Sequence, residues 1–204
     1  MAGSLWKGRT VSKKVKKPKE LPGGVSDNWL GTLRDYLVLI AIALSIAILF
    51  TRFIAIRSVV DGSSMNPTLT DRDNVLVNRV TYAFSEPQRF DIVVFELKSE
   101  PGTFYIKRVI GLPGETVTIR DGEVYINGAR LEGDVYGNAP VRRPGRAAEG
   151  VTLGEGEYFV MGDNRNNSLD SRFNEPGSIQ RHQLIGKVLL RIWPLSSFGV
   201  IPHQ

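Results

Sequence analysis

A chain of 204 residues can bury one sizeable core, and with no cysteine it can hold neither a disulfide nor a thiolate metal site. Its two histidines, His182 and His203, are too few for a three-histidine zinc centre, and no His-Glu-x-x-His pattern occurs. Eight Lys/Arg and three acids precede residue 36, a surplus of five that equals the whole net charge of +5. The remainder is electrically balanced, which argues against a basic nucleic-acid-binding face there.

The basic leader, residues 1–35, reads as a polar cytoplasmic tail without a packed structure, able to touch anionic lipid headgroups. An uncharged run from Tyr36 to Thr51 follows, and Phe53 to Ile56 resumes it after Arg52. As a helix over 36–56 it would be about 31 Å long, matching a hydrocarbon core of about 30 Å. It is apolar on all sides, unlike a core helix. Its leader is too long for a cleaved signal peptide, and no small-x-small site follows. The expectation is a retained transmembrane helix with Arg52 snorkelling at the outer interface. The basic side stays cytoplasmic and residues 57–204 lie outside.

Residues 57–204 read as mainly β, with an antiparallel sheet. Short Val/Ile-rich runs are predicted to be strands over 56–60, 74–80, 91–97, 103–110, 116–120, 123–126, 157–161 and 187–192. Asp121-Gly122 marks a hairpin, and Asn127-Gly128 closes the strand after it. Residues 131–152, rich in Gly, Pro and Arg, read as a surface insertion.

No phosphate-binding loop, dinucleotide fingerprint or Gly-x-Ser-x-Gly elbow is present. Three other segments could carry chemistry. Asp61-Gly62-Ser63-Ser64-Met65-Asn66-Pro67 is a stiff turn able to present a hydroxyl. In the strand containing Tyr105, Ile106, Lys107 and Arg108, alternation puts one cation on each mainly apolar face, so one of the two is expected to be buried or interfacial. Only the lysine of that pair can lose its charge. The run from Met161 to Arg172 is dense in Asn, Asp, Ser and Arg that could pair internally. Alone, each segment reads as an ordinary turn or a charged edge strand.

Together, in this order and behind an apolar anchor, the three segments resemble bacterial type I signal peptidase over most of residues 36–194, including the stretch Gly186 to Pro194. The resemblance implies a membrane-bound serine endopeptidase without a cofactor or metal. It would remove N-terminal signal peptides from exported preproteins, close to the protein-export channel. It makes Ser64 the nucleophile, Lys107 the general base and Ser168 the hydroxyl that orients the lysine. Asp163, Arg108, Asp170 and Arg172 become supporting salt-bridge residues. Val60, Met65, Leu69, Tyr105 and Ile106 would line the substrate pockets. Many members carry a serine two residues before the nucleophile, whose hydroxyl helps hold the oxyanion. Gly62 stands there instead, as in other branches, and leaves the second donor unassigned, with Ser63 as a substitute. Free lysine has a pKa of about 10.4, so holding it neutral at pH 7 would cost about 4.6 kcal/mol. Full desolvation covers that gap.

Only seven residues separate Ile56 from Ser64, so the nucleophile is expected within about 26 Å of the membrane. Three rivals are a specialised Ser/Lys peptidase of one secretion or conjugation system, a self-cleaving repressor and an inactive membrane-tethered β binding domain. The repressor would need a DNA-binding domain, and intact Ser64, Lys107 and Ser168 argue against the binding domain.

Overall fold

The computed structural model describes residues 29–49, 55–97 and 99–202. Residues 1–28 of the basic leader, and Arg52, lie outside them. The described chain forms a helical unit and a β-rich unit.

Helix α1 spans Trp29–Leu49. Its 21 residues measure about 31 Å, the length anticipated for a membrane span. That length is reached from a different start. The helix begins seven residues before Tyr36 and includes the exposed Arg34–Asp35 ion pair at 3.1 Å. It does not extend to Ile56, because Ala55 and Ile56 already belong to a strand. An adjacent pair of opposite charges is tolerated in the first turns, where a charge-free window would exclude it. Leu37, Leu39, Ile42 and Ile46 are all more than half exposed, so the apolar surface surrounds the helix. Such a surface fits a membrane span.

The β-rich unit contains β1 (Ala55–Val59), β2 (Asn74–Asn78), the short helix α2 (Thr81–Phe84), β3 (Ile92–Glu96), β4 (Phe104–Gly111), β5 (Thr116–Arg120), β6 (Glu123–Ile126), β7 (Ala129–Arg130), β8 (Val151–Thr152), β9 (Glu157–Met161), β10 (Ile179–Gln180), β11 (Leu184–Trp193) and β12 (Gly199–Val200). All pairings are antiparallel. The larger sheet has the order β1-β2-β11-β3-β4-β9-β10, with β12 added to β11. The smaller has the order β7-β6-β5-β8.

β3 explains how β4 is buried. Its Ile92 and Val94 enter one apolar cluster with Val60, Met65 and Leu69, while Val93 and Phe95 enter another with Val109 and Tyr158. A strand covered on both faces reads as a continuous apolar run. β4 lies beside it in the register Ile92 to Arg108 and Val93 to Lys107. Neither face of β4 is therefore open to water at these positions. Lys107 is 4% exposed and Arg108 is 0% exposed, so both cations are buried where alternation alone led us to expect one.

Residues 131–152 are more than a surface insertion. Tyr136, Val141, Ala147 and Val151 are buried against Ile110, Val117 and Phe159, and β8 within this segment completes the smaller sheet. These apolar residues are spaced too irregularly for either period to reveal them.

Candidate active site

Three segments far apart in sequence meet at one place. The turn after β1 carries Ser64, β4 carries Lys107, and the run following β9 packs over both. The loop 61–72 is closed at its base by Val60 N–H to Asp73 O at 2.8 Å and Arg72 N–H to Val60 O at 2.9 Å. Gly62 has φ +88°, a conformation that disfavours any side chain, and its N–H donates to Asp71 at 2.9 Å.

Lys107 Nζ lies 2.8 Å from Ser64 Oγ and 3.0 Å from the Ile106 carbonyl oxygen. Among the described residues no carboxylate lies within ion-pair distance of this amine. Its neighbour behaves differently. Arg108 donates to both oxygens of Asp163 at 2.8 and 2.7 Å and to Phe90 O at 2.8 Å, and its guanidinium sits 3.6 Å from the Tyr136 ring centre. Arg172 grips both oxygens of Asp170 at 2.7 and 2.8 Å. Both carboxylates are thus claimed by arginines. Burial pushes the Lys107 amine down from 10.5 to about 8, against the pull of Asp170 and Asp163, which favours the charged form. Two buried pairs without net charge beside one uncompensated lysine make the lysine the group that releases a proton most easily.

The run Met161 to Arg172 shapes the Ser64 turn from outside. Asn164 N–H donates to Ser64 O at 3.0 Å, and its side-chain amide donates to Ser63 O at 3.1 Å. Asn167 Nδ2 donates to Ser63 Oγ at 2.9 Å. Gly162 permits this approach, since a Cβ there would sit 2.4 Å from Ser64 O and 2.3 Å from Ser168 Oγ. Gly162, Asn164 and Asn167 escaped sequence reasoning. Their signal was a glycine directly after a strand, followed by asparagines that no internal ion pair needed.

Ser168 is close to this turn, but its Oγ is buried without a hydrogen-bond partner, and Lys107 instead bonds its own strand at Ile106 O. Ser63 Oγ accepts from Asn167. Ser64 and Lys107 open onto a cleft of about 310 Å³, also lined by Val60, Met65, Tyr105 and Ile106. Leu69 is absent from its lining. It is fully buried in the core behind the turn, because its N–H bonds back to Met65 O and folds it inward. Leu169, Phe104 and Val59 stand at the cleft, more than half exposed.

A hydroxyl touching a buried, uncompensated amine at the floor of a peptide-sized cleft can perform base-assisted acyl transfer. Residues 33–193 match the family model described as signal peptidase, peptidase S26. The chain belongs to the signal peptidase family. It is 33% identical over 198 residues to a probable signal peptidase I-2 of Synechocystis sp., covering 95% of this chain and 84% of that one. It is 37% identical over 171 residues to a signal peptidase I of Bacillus amyloliquefaciens, covering 79% and 89%. A crystal structure of a signal peptidase I from Enterococcus faecalis V583 is similar over 50% of this chain and 97% of its own, at 35% identity and a TM-score of 0.38. As a signal peptidase, the protein is a membrane-anchored serine endopeptidase with a mainly antiparallel β-sheet body.

Proposed function

We propose that Ser64 and Lys107 are the catalytic dyad with which this signal peptidase removes signal peptides from exported preproteins. The observation that carries the reading is the 2.8 Å contact between Ser64 Oγ and a lysine amine that is buried without a counter-ion.

Each step uses a group already in position. The neutral Lys107 amine accepts the Ser64 proton while Ser64 Oγ bonds to the scissile carbonyl carbon. The Ser64 N–H stabilises the oxyanion. The Lys107 ammonium then gives its proton to the departing amine as the peptide bond breaks. Lys107 next deprotonates the water that attacks the acyl-enzyme, and the proton returns to Ser64 as the mature chain's partner acid leaves. With the amine near 8, a neutral base at pH 7 costs about 1 kcal/mol, against roughly 4.6 kcal/mol for free lysine.

The cleft supports the substrate class. One wall is the backbone from Ser58 to Val60, at the end of the edge strand β1, and the other runs from Thr103 to Ile106. An extended peptide fits such a slot, with apolar pockets for the small side chains that precede a signal-peptide cleavage site. The apolar helix, which ends at Leu49 with fourteen residues between it and Ser64, and the basic leader support an extracytoplasmic β-unit on a single-pass anchor in the cell membrane, with a cytoplasmic N-terminus. That location would put the cleft near membrane lipid and the protein-export channel.

The test incubates the detergent-solubilised chain with a preprotein and sequences the new N-terminus. Cleavage after a small residue is expected, and Ser64→Ala and Lys107→Ala each abolish it while the β fold persists. Cleavage retained by Lys107→Ala refutes the dyad. Orientation is read by placing a cysteine at the exposed Val135 in this cysteine-free chain. Labelling of intact cells by a membrane-impermeant maleimide is expected, and labelling only after lysis refutes the topology.

A further inference from the structure

We propose that Asn164 is a positioning residue that aims the Ser64 N–H at the oxyanion, and that Asn138 locks the Asn164 amide in the orientation this requires. The inference rests on Ser64 being the nucleophile.

The peptide joining Ser63 to Ser64 is trans, so its carbonyl and its N–H point in opposite directions. Fixing one fixes the other. Ser63 O receives two donors, the Asn66 N–H at 3.1 Å and Asn164 Nδ2 at 3.1 Å. The next peptide plane is held by Asn164 as well, through its N–H to Ser64 O at 3.0 Å. One residue therefore holds the planes on both sides of the Ser64 Cα. The Ser64 N–H is directed away from Asn164, and among the described residues it has no acceptor, as an N–H kept for a reacting group requires.

The amide orientation follows from a chain of partners that each have one role. The Arg165 N–H can only donate, and it meets Asn138 Oδ1 at 3.2 Å. The Asn138 NH₂ therefore faces Asn164 Oδ1, at 3.1 Å. The Asn164 NH₂ is left facing Ser63 O. The turn itself is pinned to the 131–152 segment by Arg165 donating to both oxygens of Asp134, by Arg142 N–H to Asn166 Oδ1 at 2.9 Å, and by Asn138 N–H to Asp163 O at 3.1 Å. The relay matters more here because Gly62 supplies no second hydroxyl donor. With one N–H carrying the oxyanion, its direction governs the rate.

An interaction that acts only on the oxyanion lowers kcat and leaves KM unchanged. Removing an oxyanion donor outright costs about 10²- to 10³-fold in kcat, so misdirecting one in Asn164→Ala should cost on the order of 10- to 100-fold. The experiment compares steady-state cleavage of a preprotein-derived peptide by the detergent-solubilised full chain and its Asn164→Ala, Asn138→Ala and doubly substituted forms. Binding of a peptide aldehyde, which adds to a serine as a tetrahedral adduct, is measured beside it. We expect kcat and aldehyde affinity to fall by the same factor in Asn164→Ala, with KM and the pH midpoint unmoved. Asn138→Ala should lose about threefold or more in kcat, and the double variant should be no slower than Asn164→Ala alone. An unchanged kcat, a loss confined to KM, a shifted pH midpoint or additive losses overturns the proposal. If Asn164→Ala fails to fold, Asn138→Ala decides, since it leaves both Asn164 donors in place, and wild-type kcat there overturns the relay. Ser64→Ala run alongside separates the two readings: cleavage by that variant overturns the dyad and this inference with it, whereas an inactive Ser64→Ala beside an Asn164→Ala of wild-type kcat overturns the aiming alone.

Discussion

Replacing Lys107 by methionine should make the protein inactive and more stable. Methionine fills similar volume without a charge. The Lys107 amine falls from 10.5 to about 8 on folding, so below pH 8 the native state carries a buried ammonium that the unfolded chain holds in water. The corresponding penalty is about 3 kcal/mol at pH 7. Losing the hydrogen bonds to Ser64 Oγ and Ile106 O returns about 1 kcal/mol of it. The net gain is about 2 kcal/mol, or a rise in Tm of about 4–8 °C for a domain of this size. Its pH dependence is the discriminating part. Because the folded value is depressed, the unfolded wild type binds more protons between pH 8 and 10.5, and wild-type stability climbs with pH across that window. The advantage of Lys107→Met is therefore full below pH 8 and close to zero by about pH 9.5. Thermal melts of both full-length proteins in detergent, followed by circular dichroism from pH 6.5 to 9.5, measure it. A variant less stable than wild type at pH 7, or a gain independent of pH, refutes the account of an uncompensated buried charge.

The same amine sets the rate profile: kcat/KM should drop about tenfold per pH unit below about 8 and level off above it, as steady-state cleavage across pH will report. Gly162→Ala should abolish cleavage while melts show the β fold retained, because its Cβ would collide with Ser64 O and Ser168 Oγ and displace the turn. Asp163→Ala should destabilise by about 3–5 kcal/mol in denaturant titrations, since it strands the fully buried Arg108 charge. Arg108→Lys should also lower stability, because an ammonium cannot span both Asp163 oxygens as the guanidinium does.

The longer strands were readable from the chain. β5, β6 and β9 coincide with the runs expected for them, since each is a short Val/Ile-rich stretch bounded by turn residues. The two-residue strands β7, β8, β10 and β12 are too short to display any period. Helix α1 was anticipated from apolar length, but its start at Trp29 was hidden by Arg34 and Asp35, which cancel one another's charge. Ser64 and Lys107 were singled out with the help of resemblance, and local pattern left each with an ordinary alternative. What the chain could not display is which cation keeps its charge. That depends on Asp163 and Asp170, more than fifty residues beyond β4, choosing arginines. Asn164 was hidden for a similar reason: its importance lies in the two carbonyl groups it grips a hundred residues earlier.

The distances in sequence between these parts have a consequence for the timing of activity. Ser64 and Lys107 are 43 residues apart, and Asn164 reaches Ser63 across 101. The amine's affinity for protons falls only once β3, β9 and the polar run have enclosed β4. A nascent or partly folded chain carries an ordinary charged lysine and an idle hydroxyl. For the proposed dyad, closure of the sheet is thus what switches the chemistry on.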